Sequence, residues 1–105
     1  MPAPIVYEVT LSVEAEAAGA YAEWLRPHIA ELLRLAGFVS AEWFEVESED
    51  PSRVQWCVHY RVASREALEA YFEEHADRLR GAGLDRFRGR FTATRRILNL
   101  RERQG

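Results

Sequence analysis

Alternating apolar and polar residues mark the strands of this chain. From Pro4 to Ser12 every odd-numbered position is apolar, and β-branched residues are frequent. A period of two with such residues predicts a strand. Arg53 to Val62 shows the same pattern, with an apolar residue at every even-numbered position. Phe38 to Glu47 and Arg90 to Leu98 are predicted to be strands as well, which makes four.

A helical period separates the first two strands. From Val13 to Ala36 the apolar residues recur every three or four positions, so they form one stripe on a helix. Ser12 is the predicted N-cap and Gly37 the predicted end. Pro27 removes a helical hydrogen bond and predicts a kink. The stripe consists of Tyr21, Leu25, Ile29 and Leu32.

A second helix is predicted between the third and fourth strands. Ser64 is its N-cap, and its apolar stripe satisfies the spacing of an amphipathic helix. Gly81 and Gly83 are predicted to end it, with one further turn between Leu84 and Phe87. The stripe consists of Leu68, Tyr71, Phe72, His75 and Leu79.

The order of the elements is β-α-β-β-α-β, which is the ferredoxin-like split arrangement. Ser48 to Ser52 has turn chemistry, so it joins the second and third strands as a hairpin. Right-handed crossovers place both helices on the same face of the sheet. We therefore predict one α+β domain over residues 1–105, with a four-stranded antiparallel sheet in the spatial order 4-1-3-2.

Alternation in the fourth strand places one charged residue on the helix-covered side. Arg95 should point the same way as Phe91 and Ile97. A guanidinium is expected there only if the edge of the sheet lets it reach water.

The other face of the sheet is predicted to be partly apolar. A face open to water would be uniformly polar, and exposed apolar area of this kind marks an interface or a ligand groove. We expect it to pack against a second copy of the chain, so that two sheets enclose a cavity. The residues assigned to it are Val6, Glu8, Thr10, Val39, Ala41, Trp43, Glu45, Cys57, His59, Arg61, Thr92, Thr94, Arg96 and Leu98.

Three of these residues are expected to meet. Glu8 lies on the first strand, and His59 and Arg96 lie on its two neighbours. A carboxylate, an imidazole and a guanidinium in contact could orient a polar ligand or transfer a proton. The alternative is an ordinary buried network in which Glu8 pairs with Arg96 and His59 bonds to either. Trp43 is predicted to line the interface or the cavity.

The remaining candidates for chemistry are isolated. His28 follows Pro27 beside the apolar stripe, as either a satisfied core histidine or a pocket residue. Cys57 would be reactive if Arg96 or His59 lowered its pKa, and is otherwise a small buried hydrophobe. No two histidines have the i, i+4 spacing of a helical metal pair. No metal and no cofactor are predicted.

Composition narrows the classes of partner. The formal net charge of -3 argues against a nucleic-acid-binding protein. No stretch approaches the roughly 20 apolar residues of a membrane span, and no signal peptide is predicted. The single cysteine cannot form an internal disulfide. We expect a cytoplasmic protein without a nucleic-acid or membrane partner.

Several short segments of the chain together carry a family resemblance: Ile5-Val6-Tyr7-Glu8-Val9, Trp24-Leu25 with His28-Ile29, Gly37-Phe38, the Tyr60 strand, and Phe87 with Phe91. These segments resemble an uncharacterised bacterial family, a domain of unknown function in the dimeric α/β-barrel superfamily. The resemblance implies a homodimer joined through the open sheet faces, which is a dimeric α/β barrel. The wider superfamily includes antibiotic-biosynthesis monooxygenases, haem-degrading enzymes and small stress-response proteins.

Three functions follow as expectations. The first is a dimer that binds a small, partly apolar molecule, with Glu8, Trp43, His59 and Arg96 around it. The second is a cofactor-independent oxygenase or isomerase with His59 or His28 as base. The third is a structural or regulatory dimer without a ligand. A packed interior would favour the structural dimer. An open pocket with a histidine of perturbed pKa would favour the oxygenase or isomerase, and an open pocket without such a histidine would favour the binding protein.

Overall fold

The computed structural model describes residues 3–105. Its strands are β1 (Ile5–Glu14), β2 (Phe38–Val46), β3 (Arg53–Val62) and β4 (Phe91–Asn99), and its helices are α1 (Ala18–Leu32), α2 (Arg65–Glu74) and α3 (Ala76–Phe87). A short 3-10 turn, Ala15–Ala17, joins β1 to α1. No helix in the described part of the chain is both long and apolar enough to cross a membrane.

The strands pair antiparallel in one sheet, in the order β2-β3-β1-β4. This is the predicted order read from the opposite edge, and the α+β ferredoxin-like fold is confirmed. The helices cover the face formed by the odd positions of β1 and the even positions of β3, which we call the helix face. The opposite surface, which carries Val6, Glu8, Thr10, Phe44, Cys57, His59, Thr94 and Arg96, is the open face.

The core lies between the helix face and the helices. Tyr7 and Val58 from the central strands are almost completely buried, as are Leu32 of α1 and Leu68 of α2. Burying a side chain of this size contributes about 1.5–3 kcal/mol to folding. These contacts hold the helices against one side of the sheet, and no element within residues 3–105 covers the open face.

β1 is longer than the sequence predicts, and α1 begins later. Ser12, the predicted N-cap, lies within β1, so that prediction is wrong. The reason is Val13, which is fully buried opposite Val54 of β3 and Phe91 of β4 and so continues the strand. Gly37 is not the end of the first helix as predicted, because α1 already ends at Leu32. Gly37 immediately precedes β2 with a φ of 84°, a left-handed conformation that glycine adopts without strain.

The second predicted helix is two helices, α2 and α3, with a break at His75. Ser64 caps α2 as predicted, because its hydroxyl accepts the backbone N–H three residues later at 3.2 Å. The sequence predicts that Gly81 and Gly83 end the helix, but both lie inside α3. Gly83 instead permits close packing, since a Cβ there would lie 2.7 Å from Cη2 of Trp24.

A bulge at the start of β2 changes which residues face the helices. Phe38 and Ser40 lie opposite consecutive residues of β3, which leaves Val39 without a partner in register. One extra residue exchanges the two faces for the rest of a strand. Trp43 therefore lies opposite Val58 on the helix face. The prediction that Trp43 belongs to the open face is wrong.

The same shift corrects the neighbouring positions of β2. Ala41 and Glu45, predicted for the open face, lie on the helix face opposite even-numbered residues of β3. Phe44 takes the open-face position opposite Cys57 and is 45% exposed. The open face thus has a phenylalanine where the sequence predicts a tryptophan.

Candidate functional site

A cavity of about 200 Å³ lies between the helix face and the helices. Its walls come from the central strands β1 and β3, the edge strand β4, the helices α1 and α3, and Tyr71 of α2. The lining residues include Tyr7, Tyr21, Trp24, His28, Tyr60, Tyr71, Arg80, Phe91 and Arg95. The sequence predicts a cavity on the open face between two copies. The cavity enclosed within one chain lies on the other side of the sheet.

Aromatic rings form most of one wall. The ring of His28 stacks on Trp24 with centroids 4.5 Å apart and an angle of 23° between the planes. These two residues lie one turn apart on α1, which is why they meet. Tyr21, one turn earlier, contacts Phe87 and Phe91 at centroid distances of 4.9 and 5.1 Å. The wall is therefore rigid and apolar, with polar groups only at its ring edges.

Arg80 of α3 introduces a charge into this setting. One of its terminal nitrogens donates to the Tyr7 hydroxyl at 2.9 Å. Its Nε is buried and has no hydrogen-bond partner within residues 3–105. A buried donor without an acceptor costs about 1–3 kcal/mol. A ligand atom that accepts from this nitrogen would remove that cost.

Burial controls the protonation of the cavity groups. It lowers the pKa of His28 to about 4, with Arg95 lowering it further and Glu31 opposing the shift. It raises the pKa of Tyr21 to about 12, and it raises those of Tyr60 and Tyr71 as well. At neutral pH the imidazole is therefore uncharged, and the phenols keep their protons and can donate.

Arg95 adds a second cation at the rim. It lies on β4, where alternation places it on the helix face, and it is exposed because β4 is an edge strand. The lining of the cavity holds Arg80 and Arg95 and, within the described chain, no aspartate or glutamate. Both charged side chains in the lining are therefore cations.

On the open face the predicted contact of Glu8 with His59 and Arg96 is present. His59 Nε2 lies 2.8 Å from one carboxylate oxygen of Glu8. Arg96 donates to the other oxygen from Nε at 2.7 Å, and a terminal nitrogen of Arg96 lies 2.6 Å from the same oxygen. The register of the sheet produces this cluster, because Glu8 lies directly opposite His59 in β3 and Arg96 in β4.

Charge and burial oppose each other in this cluster. Burial by itself raises the pKa of Glu8, but the hydrogen bonds from His59 and Arg96 outweigh it and leave the pKa below its ordinary value. Burial and the nearby Glu8 charge raise the pKa of Cys57. Cys57 is therefore a protonated thiol, and the reactive thiolate that Arg96 or His59 could have produced is not formed.

The five candidate residues from the sequence thus occupy three places. Glu8, His59 and Arg96 form one cluster on the open face. His28 lies in the cavity. Trp43 lies apart from both, near the edge of the helix face, where its ring contacts Trp56 at a centroid distance of 5.1 Å.

The cavity residues Arg80, Tyr7 and Tyr71 were missed by sequence reasoning. Tyr7 occupies an inward position of β1, and an aromatic residue at such a position is ordinarily interpreted as part of the core. Arg80 follows Leu79 on a helix, where an arginine is ordinarily a solvated residue. The signal in the sequence was the number of tyrosines at inward positions. Buried tyrosine hydroxyls need hydrogen-bond partners, which a wholly apolar core would not offer to Tyr7, Tyr60 and Tyr71.

Solved structures with this fold include several oxygenase-like proteins. SnoaB, a cofactor-independent oxygenase from Streptomyces nogalater, superposes with a TM-score of 0.68 at 15% identity, covering 96% of this chain and 97% of that one. A candidate antibiotic biosynthesis monooxygenase from Deinococcus radiodurans gives 0.74 at 14% identity, with 96% of each chain covered. At these identities the likeness shows the fold alone.

A haem-degrading protein has the same fold. MhuD from Mycobacterium tuberculosis, solved with two haems in its active site, superposes with a TM-score of 0.68 at 18% identity, covering 97% of this chain and 100% of that one. No curated protein matches the chain. A family model described as a domain of unknown function, DUF4286, matches residues 4–101, and the chain therefore belongs to the DUF4286 family.

Proposed function

We propose that this protein binds a small, partly apolar anion in the cavity between the helices and the sheet. The observation that carries the proposal is the buried Nε of Arg80, which has no acceptor within the described chain and lies in an otherwise aromatic cavity. Ligand pockets combine apolar walls with a few placed polar groups, and this cavity has that composition.

The charges of the cavity select the class of ligand. Arg80 and Arg95 line it without an opposing carboxylate in the described residues. A guanidinium binds a carboxylate or a similar planar anion through two parallel hydrogen bonds. Tyr7 already accepts one terminal N–H of Arg80. The neighbouring Nε–H remains for the ligand.

The size of the cavity limits the apolar part. Drug-sized ligands occupy pockets of about 300–1,000 Å³, and this cavity holds about 200 Å³. A single ring with a short acidic group matches that volume. The stacked pair of Trp24 and His28 offers a flat surface for such a ring.

Benzoate and benzyl alcohol test this proposal, because they differ mainly in charge. We expect benzoate to shift the indole resonance of Trp24 in ¹H–¹⁵N spectra and to bind more tightly than benzyl alcohol. Arg80→Gln should remove this preference. Arg78→Gln, at an exposed position of the same helix, is the matched control and should retain it. Equal binding of the two compounds by the wild type, or an unchanged preference in Arg80→Gln, would contradict the proposal.

We also propose that two copies associate through their open faces, in the cytoplasm. Phe44 and Val46 are exposed on β2, at 45% and 38%. The neighbouring Glu8 carboxylate is only 7% exposed and is already neutralised by its partners. A surface with exposed apolar side chains and internally paired charges is suited to burial against its own copy.

A second candidate function is cofactor-independent oxygenation in the same cavity. The observation that favours it is His28, an uncharged imidazole that lies in the cavity and can accept a proton. SnoaB has this fold and is a cofactor-independent oxygenase. A pKa of about 4 makes His28 a weak base, since a general base works best with a pKa near the ambient pH. Binding is therefore the first proposal.

Oxygen uptake separates the two functions. An electron-rich phenol or hydroquinone supplied to the purified protein should consume oxygen only if the second function holds. His28→Gln should then abolish the uptake. If none of a panel of such compounds causes oxygen uptake, the oxygenase function is excluded and ligand binding remains as the proposed function.

A further inference from the structure

The open face holds a second group of side chains that neither proposed function uses. Glu8, Cys57 and His59 each offer one ligand atom there, and these three atoms lie within 4.8 Å of one another. Glu8 forms ion pairs with His59 and Arg96. These ion pairs do not explain why the thiol of Cys57 lies beside Glu8 and His59.

The register of the two central strands creates this grouping. Glu8 of β1 lies directly opposite His59 of β3. Cys57 lies two residues before His59, so it points to the same face. The backbone positions of all three residues are held by paired strands at the centre of the sheet. The donors are thus brought together by the fold itself, without a flexible loop.

We propose that Glu8, Cys57 and His59 bind a zinc ion. Carboxylate, thiolate and imidazole are the three kinds of side chain that zinc takes in proteins. Three protein ligands leave the fourth tetrahedral position for water or for a group from a partner. The spacing predicted from helices does not apply here, because the ligands come from two neighbouring strands.

Arg96 is compatible with such an ion. It binds only Oε1 of Glu8, whereas the contact with His59 uses Oε2. An ion between Oε2 and the imidazole replaces that hydrogen bond and leaves Arg96 in place. Outer hydrogen bonds of this kind orient ligating carboxylates. Zinc binding would release the thiol proton of Cys57. The carboxylate and the thiolate then supply two negative charges, and with Arg96 retained the cluster carries one net positive charge.

The surroundings restrict the movement of the ligands. Glu8 is 7% exposed. The ring of Phe44 packs edge-on against His59 with centroids 5.4 Å apart. The hydroxyl of Thr10 lies 4.0 Å from the sulfur of Cys57. Side chains held in this way lose little freedom when a metal binds, which favours affinity.

The zinc proposal is independent of the ligand proposed for the cavity. Its residues lie on the open face, and none of them lines the cavity. All three ligands come from one chain, so the site also exists without a dimer. In a dimer formed through the open faces it would lie inside the interface.

Cobalt(II) is the probe for the experiment, because it replaces zinc and reports its ligands in the absorption spectrum. We expect the full chain, purified with a chelator, to bind one Co²⁺ per chain with an intense thiolate-to-cobalt band in the near ultraviolet. Cys57 is the only cysteine, so such a band can come from no other residue. Added Zn²⁺ should displace the cobalt and abolish the band.

Variants at the ligands decide the assignment. Cys57→Ser should lose the band, and His59→Gln should weaken binding while circular dichroism shows an intact fold. His75→Gln is the matched control, since His75 pairs with Glu74 on the surface, and it should bind cobalt as the wild type does. A wild type without a thiolate band, or cobalt binding unchanged in Cys57→Ser and His59→Gln, would overturn the proposal.

Discussion

Gly83 of α3 lies against Trp24 of α1, with no room for a side chain. A Cβ at this position would meet two further indole carbons of Trp24 at 3.1 and 3.2 Å, beyond the contact at 2.7 Å. Trp24 cannot yield easily, because it stacks on His28 and touches Tyr21. Gly83 is therefore needed for packing and not for backbone freedom.

Substituting the two glycines of α3 should have opposite effects. Gly83→Ala should lower the free energy of unfolding by about 1–3 kcal/mol through overpacking. Gly81→Ala should raise it by about 0.5–1 kcal/mol, since no described atom lies within 4 Å of the added methyl group. Urea unfolding measures both variants. Effects of the same sign would show that helix propensity, and not the contact with Trp24, decides the outcome.

The buried imidazole of His28 should make stability depend on pH. Its pKa falls from the ordinary 6.5 to about 4 on folding, so the unfolded chain binds more protons between these values. Stability is then complete above pH 6.5 and decreases as the pH falls from 6.5 towards 4. Urea midpoints across this range should fall less steeply in His28→Gln. Parallel pH profiles of the two proteins would contradict the shift.

At the scale of elements, the bulge in β2 has the largest effect on the assignment of faces. Val39 is the unpaired residue, and it is 56% exposed. Without it, strict alternation would turn Trp43 to the open face and Phe44 to the helix face. The cation–π contact of Arg26 with Trp43, at 5.7 Å, would also be lost.

Deleting Val39 should therefore destabilise the fold much more than substituting it. We expect the deletion to cost about 3 kcal/mol, comparable to removing a buried aromatic ring. The near-ultraviolet circular dichroism of the tryptophans should change as well. Val39→Thr keeps the bulge and should alter stability by less than about 0.5 kcal/mol. A deletion as mild as Val39→Thr would show that β2 tolerates either register.

The elements that the sequence predicted well are those with a clean period. β3 alternates without exception, and its predicted bounds agree with the structure. β2 has apolar residues on both faces, so no alternation could reveal the bulge. The role of Gly83 was hidden for a different reason, because it depends on the contact with Trp24 of α1, which a local pattern does not contain.

At the scale of the whole molecule, the sheet separates two sites. The Glu8, His59 and Arg96 cluster was predictable, because strand order and parity alone bring these residues together. The cavity was not predictable, because it depends on how far the helices stand from the sheet. The residue that marks it, Arg80, lies on α3, whose course the sequence did not give correctly.

The proposed dimer gives a test at this scale. Phe44→Asp introduces a charge at the exposed apolar position of the open face, and we expect it to convert a dimeric wild type into a monomer. Leu84→Asp is the matched control, because Leu84 is exposed to a similar degree on α3 and should leave the dimer intact. Native mass spectrometry measures the oligomeric state of both variants. A monomeric wild type, or a dimeric Phe44→Asp, would exclude association through this face.

Consecutive residues of β1 belong to different sites. Tyr7 bonds to Arg80 in the cavity, and Glu8, next in sequence, bonds to His59 and Arg96 on the open face. Substitutions at alternate positions of the central strands can therefore change the lining of the cavity without changing the open face, or the reverse. This separation of the two faces is a physical reason why one fold can carry different chemistries.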